Sequence, residues 1–434
     1  MIRILPVLAV FAACHTIPDE PTLTLPDRLT WRDAPTLTAT GLEPGQTYSL
    51  TVAHASSWND TAIERAELAY TTDGKGRLDT GTDPYAVVTA MEYIADDVVD
   101  LPKNAWDVTI ASIDGIPVLK DSVAIGPDRS RIDELPLGDA FPGAFVITSR
   151  DHPGPRPALV ILGGSEGGNR SALNSAPVFA ADGYTVLAFP YYSPAWFGQT
   201  AAIPELQRGF SELPVDYLES AVTALRQRPD VDPDRILLMG GSKGAEYVLL
   251  AGSLIPDDSA GGGFCGIVAD VPSDVVWEGW GPRADSAPED GPFSGFSWRG
   301  EALPFVPYTD MSRALDRKDS YTMTEAHENG RADNPLQVAA ARIAVETIDE
   351  PVFVIGGDLD TTWASGKMAR TIAERRSDAG LETESYVYTD AGHGAGGHPL
   401  SRTSPANNAA RQENFPAMMD FLRRTSEREN CRDK

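Results

Sequence analysis

Two rhythms of apolar residues divide this chain. Up to about residue 125, apolar and polar positions alternate in short runs. These are Thr22-Leu-Thr-Leu25, Thr36-Leu-Thr-Ala39, Tyr48-Ser-Leu-Thr-Val-Ala53 and Trp106-Asp-Val-Thr-Ile-Ala-Ser-Ile113. Alternation sends every second side chain to the same face, as in a half-buried strand. Turn formers separate the runs, at Glu43-Pro-Gly45, Asp73-Gly-Lys-Gly76 and Asp114-Gly115. Short β-branched runs punctuated this way predict a small all-β sandwich over residues 20–127. It is immunoglobulin-like in strand rhythm only, because no Cys…Trp…Cys spacing is present.

Beyond Gly126-Pro-Asp-Arg129 the apolar runs become uninterrupted. They are Ala158–Leu162, Thr185–Phe189, Arg235–Met239, Gly266–Asp270 and Val352–Ile355. Parallel strands covered by helices on both faces read this way. Between them lie amphipathic stretches such as Val215–Arg228, with Val215, Leu218, Val222 and Leu225 on one helical face. Alternating strands and helices predict a doubly wound α/β domain over residues 128–425. Residues 272–345 break the rhythm and carry Trp277, Trp280, Phe293, Phe296, Trp298 and Phe305. This insertion is either a lid or pocket wall, or a structural loop packed on the sheet. Residues 426–434 form a polar tail.

The N-terminus and the charge bear on compartment. Met1-Ile-Arg3 is a short basic end, and Ile4 to Ala13 is apolar apart from Pro6. That stretch is too short for a stable membrane span and reads as a signal segment. Phe11-Ala-Ala-Cys14 resembles the lipobox of bacterial lipoproteins. Cleavage there would leave Cys14 as a lipidated N-terminus, with residues 1–19 as signal and linker. The expected location is the cell envelope, held by a lipid anchor alone; an ordinary secretory signal is the alternative. The formal charge of −27 argues against nucleic acid and against docking on anionic lipid. Of three cysteines, Cys265 lies in an apolar run and Cys431 in the polar tail, which argues against a disulfide between them. No spacing suggests zinc, and no metal or organic cofactor is implied.

Chemistry enters at Arg235-Ile-Leu-Leu-Met-Gly-Gly-Ser-Lys-Gly-Ala-Glu-Tyr-Val-Leu-Leu250. It reads as strand, tight turn and helix. Gly240-x-Ser242-x-Gly244 places a serine on that turn, as in the nucleophile elbow of α/β-hydrolases. Serine needs a base, and the base needs an acid to orient it. In this fold the chain order is Ser, Asp or Glu, then His. Val352-Phe-Val-Ile-Gly-Gly-Asp-Leu-Asp360 supplies Asp360 as the acid, with Asp358 as the alternative. His393, in a Gly-flanked loop after strand-like Ser385–Tyr388, is the expected base, and His398 is the alternative. The oxyanion hole is expected from the N–H of Lys243 and from Ser165 or Glu166 in Gly163-Gly-Ser-Glu-Gly-Gly168.

Several stretches together resemble the acyl-CoA thioesterase / bile acid-CoA:amino acid N-acyltransferase family. They are the Gly-x-Ser-Lys-Gly elbow, Phe210-Ser-Glu-Leu-Pro-Val-Asp-Tyr-Leu-Glu-Ser-Ala-Val222, Trp298-Arg-Gly-Glu-Ala-Leu-Pro-Phe-Val-Pro307, Asp360-Thr-Thr-Trp363 and Gly392-His393. The resemblance implies an α/β-hydrolase domain preceded by a β domain, and a small acyl thioester or ester as substrate. Serine rather than cysteine as nucleophile implies hydrolysis. The lipobox points the other way on substrate, since export removes the protein from CoA. A carboxylesterase on other esters, acyl transfer to an amine and an inactive surface binding module stand as alternatives. Oligomeric state is left open.

Overall fold

The computed structural model describes residues 20–56, 59, 61–95, 101–194, 202–281, 291–316 and 318–428. The lipobox-like segment with Cys14 and the tail with Cys431 lie outside the described residues. The chain divides into two compact units. The first comprises residues up to 29, 34–55 and 61–124; the second comprises 30–33, 56–60 and 125 onward.

The first unit holds a six-stranded sheet, in the spatial order Arg28–Leu29, Pro117–Ile125, Ala105–Ser112, Thr47–Ala55, Ala62–Thr71 and Glu92–Ala95. A three-stranded sheet is built from Thr22–Thr24, Thr38–Thr40 and Leu78–Asp79. The alternation has its expected effect. Trp106, Val108 and Ile110 are fully buried, whereas Asp107 and Thr109 between them are not. Ala62–Thr71 is a strand that the apolar pattern does not announce. Glu64, Arg65 and Glu67 interrupt it, yet it pairs with Thr47–Ala55 along nine positions. That partner, more than its own propensity, makes it a strand.

The second unit is built on one eight-stranded sheet. Its strands are β1 (Ile132–Pro136), β2 (Phe145–Ser149), β3 (Arg156–Leu162), β4 (Thr185–Ala188), β5 (Val231–Gly241), β6 (Gly266–Asp270), β7 (Val352–Gly357) and β8 (Thr383–Tyr388). Their order is β1-β2-β4-β3-β5-β6-β7-β8. β1 and β2 pair antiparallel, as do β2 and β4; every pairing from β4 to β8 is parallel.

Five helices cover this sheet: α1 (Arg170–Ala181), α2 (Asp216–Arg226), α3 (Lys243–Leu254), α4 (Ser365–Asp378) and α5 (Pro405–Ser426). The uninterrupted apolar runs follow from burial of both sheet faces. Ala158, Val160 and Leu162 of β3 and Val352 and Val354 of β7 point toward α2, α3 and α4, joining Leu218, Val248 and Met368. Their neighbours Leu159, Ile161, Phe353 and Ile355 point toward α1 and α5, joining Phe179 and Phe421. Fully burying a Val, Leu, Ile or Phe stabilises by roughly 1.5–3 kcal/mol, so this three-layer packing fixes the strand ends that carry the site.

Within the insertion, Trp277 and Phe296 are fully buried, while Trp280, Trp298 and Phe305 pack half-buried on the same core. Phe296–Trp298 pairs in parallel with Leu213–Pro214. These described aromatics pack beside α3, with Tyr247 and Val248. Cys265, buried just before β6, is disulfide-bonded. The sequence argues against a bond to Cys431; the other two cysteines, Cys14 and Cys431, lie outside the described residues. A disulfide depends on which segments meet in space, which local polarity does not report.

Candidate active site

The C-terminal end of β5 turns sharply into α3, and Ser242 sits on the turn with φ of 54° and ψ of −118°. A non-glycine residue there is strained, and the surroundings must impose the conformation. They do so through small residues. A Cβ on Gly240 would lie 2.1 Å from the Gly244 carbonyl oxygen, and one on Gly244 would lie 2.4 Å from the Gly163 carbonyl oxygen. The Ser242 N–H donates to the Asp270 carbonyl at 2.9 Å, tying the elbow to the end of β6. The hydroxyl thus stands at the positive end of α3.

The strand ends bring the expected partners together. Ser242 Oγ lies 3.0 Å from His393 Nε2, and His393 Nδ1 lies 2.8 Å from Asp360 Oδ2. With Nδ1–H donating to the carboxylate, Nε2 is the lone-pair nitrogen that accepts from the serine hydroxyl. Asp360 is buried, and its second oxygen accepts from the N–H groups of Thr362 at 2.8 Å and Trp363 at 3.3 Å. The Asp-Thr-Thr-Trp turn is therefore a local device that aims one carboxylate oxygen outward. Trp363 anchors it, with its indole N–H on the Val271 carbonyl at 3.1 Å.

The two alternatives go elsewhere. Asp358 forms a paired ion bond with Arg370 at 2.7 and 2.8 Å, which holds its carboxyl below the usual range. His398 packs edge-on against Phe415 and accepts the Leu400 N–H at 3.1 Å. Burial pushes it down to about 4, so it is a neutral core ring.

The glycine-rich loop after β3 meets the elbow. A Cβ on Gly164 would touch Ser242 Cβ at 3.1 Å. Tyr191 donates its hydroxyl to the carbonyls of Gly163 and Gly164, at 2.9 and 3.1 Å, and Tyr192 donates to that of Ser165. Glu166 folds back to accept the Gly164 N–H at 3.0 Å. With the carbonyls turned away, the N–H groups of Ser165, Glu166 and Lys243 donate to nothing among the described residues.

Behind the elbow the Lys243 side chain is buried against Glu246, Nζ to Oε2 at 2.7 Å. The ammonium lies 5.0–5.7 Å from the ring centres of Phe210, Trp280, Trp363 and Phe296. Glu246 also accepts the Trp277 N–H at 3.1 Å, which fastens the insertion to α3. Sequence reasoning used Lys243 only for its backbone and missed this pair. Burial lowers Lys243 and raises Glu246, and each opposes the other's shift.

The histidine loop is held from below by α5, also missed. Asn407 accepts the Gly392 N–H at 2.8 Å, and Asn414 donates to the Ala395 carbonyl at 3.0 Å. Arg411 donates to the carbonyls of Gly394 at 2.9 Å, Gly396 at 2.7 Å and Ser401 at 3.1 Å. Polar residues on the buried face of a helix are the signal that was available. No group of metal-binding side chains occurs among the described residues.

Sheet order, elbow and strand-end geometry define an α/β-hydrolase, an enzyme of the hydrolase class. Comparison of sequences narrows the kinship. Acyl-coenzyme A thioesterase 1 of Rattus norvegicus is 24% identical over 394 residues, which span 84% of this chain and 83% of the relative. Mitochondrial acyl-coenzyme A thioesterase 2 of the same organism is 25% identical over 394 residues, 84% and 77% of the two chains. The human acyl-coenzyme A thioesterase 1 aligns over 242 residues at 26% identity, 56% and 49% of the two chains. The chain is thus a distant relative of the acyl-CoA thioesterases, over most of its length. No known family profile matches it. Solved structures similar to it include a truncated carbohydrate esterase from gut microbiota, with a TM-score of 0.42 at 13% identity over 70% of this chain and 100% of that one. A second is an esterase of Thermogutta terrifontis, with a TM-score of 0.40 at 16% identity over 68% and 93%.

Proposed function

We propose that the protein is a serine hydrolase that cleaves acyl thioesters or esters through an acyl-enzyme on Ser242. The observation that carries this reading is the unbroken hydrogen-bond run from Ser242 through His393 to Asp360. His393 Nε2 takes the hydroxyl proton as Ser242 Oγ attacks the acyl carbonyl. Asp360 holds the ring and stabilises the imidazolium that forms. The N–H of Lys243, with that of Ser165 or Glu166, holds the developing oxyanion. His393 then protonates the leaving group, which departs as thiol or alcohol. Water enters, gives its proton to His393 and attacks the acyl-enzyme. The acid leaves, and the proton returns to Ser242.

Kinship with acyl-CoA thioesterases supports a thioester as substrate. Two observations favour a second reading, in which the enzyme works outside the cytoplasm on esters that lack CoA. Cys265 is disulfide-bonded, and disulfides persist in oxidising compartments. The chain carries a formal charge of −27, and the cations Lys243 and Arg411 are committed to Glu246 and to loop carbonyls. Neither feature attracts the phosphates of CoA. In that reading the lipobox-like segment anchors the enzyme to the cell envelope through Cys14.

The experiment is turnover of the mature protein against matched acyl-CoA thioesters and p-nitrophenyl esters, with Ser242→Ala alongside. Serine-dependent preference for CoA thioesters supports the first reading, and serine-dependent activity on esters alone supports the second. Turnover that survives Ser242→Ala overturns both.

A further inference from the structure

A second carboxyl, that of Asp270, stands beside the Ser–His–Asp run and has no part in the scheme above. Asp270 ends β6, next to the nucleophile strand, and its carbonyl accepts the Ser242 N–H. Its side chain reaches the histidine loop. A Cβ on Gly396 would lie 2.1 Å from Oδ1, 2.2 Å from Cγ and 2.3 Å from Oδ2. The carboxyl is therefore packed against loop backbone three residues after His393. Oδ1 is buried and accepts no hydrogen bond among the described residues. A buried, unpartnered carboxyl oxygen is destabilising, and its persistence beside a reacting group calls for a role.

Three titratable or charged groups face it, His393 carrying charge only when protonated. His393 from the loop and Arg411 from α5 favour its ionised form, while Asp360, just beyond β7, opposes it. Arg411 does not bond to it; that guanidinium is spent on the carbonyls of Gly394, Gly396 and Ser401. Burial outweighs these and lifts the carboxyl to about 6.

We infer that Asp270 is a positioning residue for the reaction: a second carboxyl, packed against the histidine loop, that stabilises the His393 imidazolium during acylation and deacylation of Ser242. The inference rests on His393 being the base, as proposed above. The direction of the coupling is fixed. A carboxylate at 270 strengthens proton binding by His393. Removing that charge therefore moves the histidine titration to lower pH. It also withdraws support from the imidazolium, so plateau turnover falls.

The test compares pH profiles of kcat/KM for the wild type and Asp270→Asn, with Asp270→Ser as a smaller second variant. The expected result is an acid limb displaced downward by about half a pH unit or more, with a plateau lowered roughly three- to thirtyfold. A lowered plateau with the limb in place would show a purely structural role and overturn the inference. A second readout needs no turnover. In Ser242→Ala protein, the His393 ring is titrated by NMR, its resonance identified by its loss in His393→Gln. Adding Asp270→Asn should move that titration to lower pH, and an unmoved titration overturns the inference. Absence of serine-dependent turnover in the wild type would instead overturn the hydrolase reading.

Discussion

Glu246→Gln should destabilise the hydrolase unit severely, and the penalty should shrink as pH rises. In the native protein Lys243 and Glu246 are both buried, 2% and 0% exposed, with 2.7 Å between charges. Glutamine preserves the shape and an acceptor for the Trp277 N–H but removes the charge. Breaking a buried pair from one side costs roughly 3–5 kcal/mol. A separate estimate comes from titration. The stranded lysine escapes by shedding its proton, and taking an ordinary lysine at about 10.4 to the neutral form at pH 7 costs about 5 kcal/mol. At pH 9 the same step costs about 2 kcal/mol. In the variant, the unfolded chain then binds one proton more than the folded one, so stability rises with pH. The assay is urea unfolding of wild type and variant at pH 7 and pH 9, followed by tryptophan fluorescence. Trp277, Trp280 and Trp363 surround the pair and report its loss. A difference below about 1 kcal/mol at pH 7, or one that does not diminish by pH 9, would refute the reasoning. Lys243→Met with Glu246→Leu should recover most of the loss, because it leaves no stranded charge.

Other consequences follow from the same geometry. Asp360→Asn should lower kcat about 10³- to 10⁴-fold with folding intact, since the amide no longer fixes the histidine tautomer; steady-state kinetics with a circular dichroism melt check both. Gly244→Ala drives a methyl to within 2.4 Å of the Gly163 carbonyl oxygen, so it should cost about 1–3 kcal/mol in urea unfolding and reduce turnover by displacing the oxyanion loop. His327 and His398 are both pushed down to about 4 by burial. Unfolding lets them protonate at about 6.5, so the stability they leave intact above that value is lost as pH falls from 6.5 toward 4, by roughly 3 kcal/mol per ring at the lower end. Unfolding midpoints between pH 7 and pH 4 measure that slope, and His327→Gln should reduce it. Cys265 should resist alkylation in denatured, unreduced protein and react after reduction, as read by peptide mass mapping.

The parts of this molecule legible in its sequence are those fixed by local rules. Ser242 was visible because the elbow's sterics demand glycine at 240 and 244, within five residues. Asp360 and His393 were visible because strand ends in chain order supply the acid and the base. The parallel core showed because burial on both faces leaves a plain apolar run, as at β7. What escaped notice depends on partners far along the chain. Ala62–Thr71 is a strand by virtue of its neighbour. Glu246 is a charged helix residue whose burial depends on Trp277 and Lys243 closing around it. Asn407, Arg411 and Asn414 look like solvent-facing residues of α5, yet they face the histidine loop. Asp270 was read as the end of an apolar strand, and its meeting with Gly396 joins positions more than a hundred residues apart. The pairing of Cys265 is of the same kind.

The claim that Ser242 is the nucleophile is tested most directly by covalent capture. The folded protein is treated with a fluorophosphonate, digested and mapped by mass spectrometry, with Ser242→Ala and His393→Gln in parallel. The account predicts one adduct, on the peptide carrying Ser242, absent from the alanine variant and slowed severely in the glutamine variant. An unmodified Ser242 in folded protein, or an adduct on another serine that persists in Ser242→Ala, would contradict it.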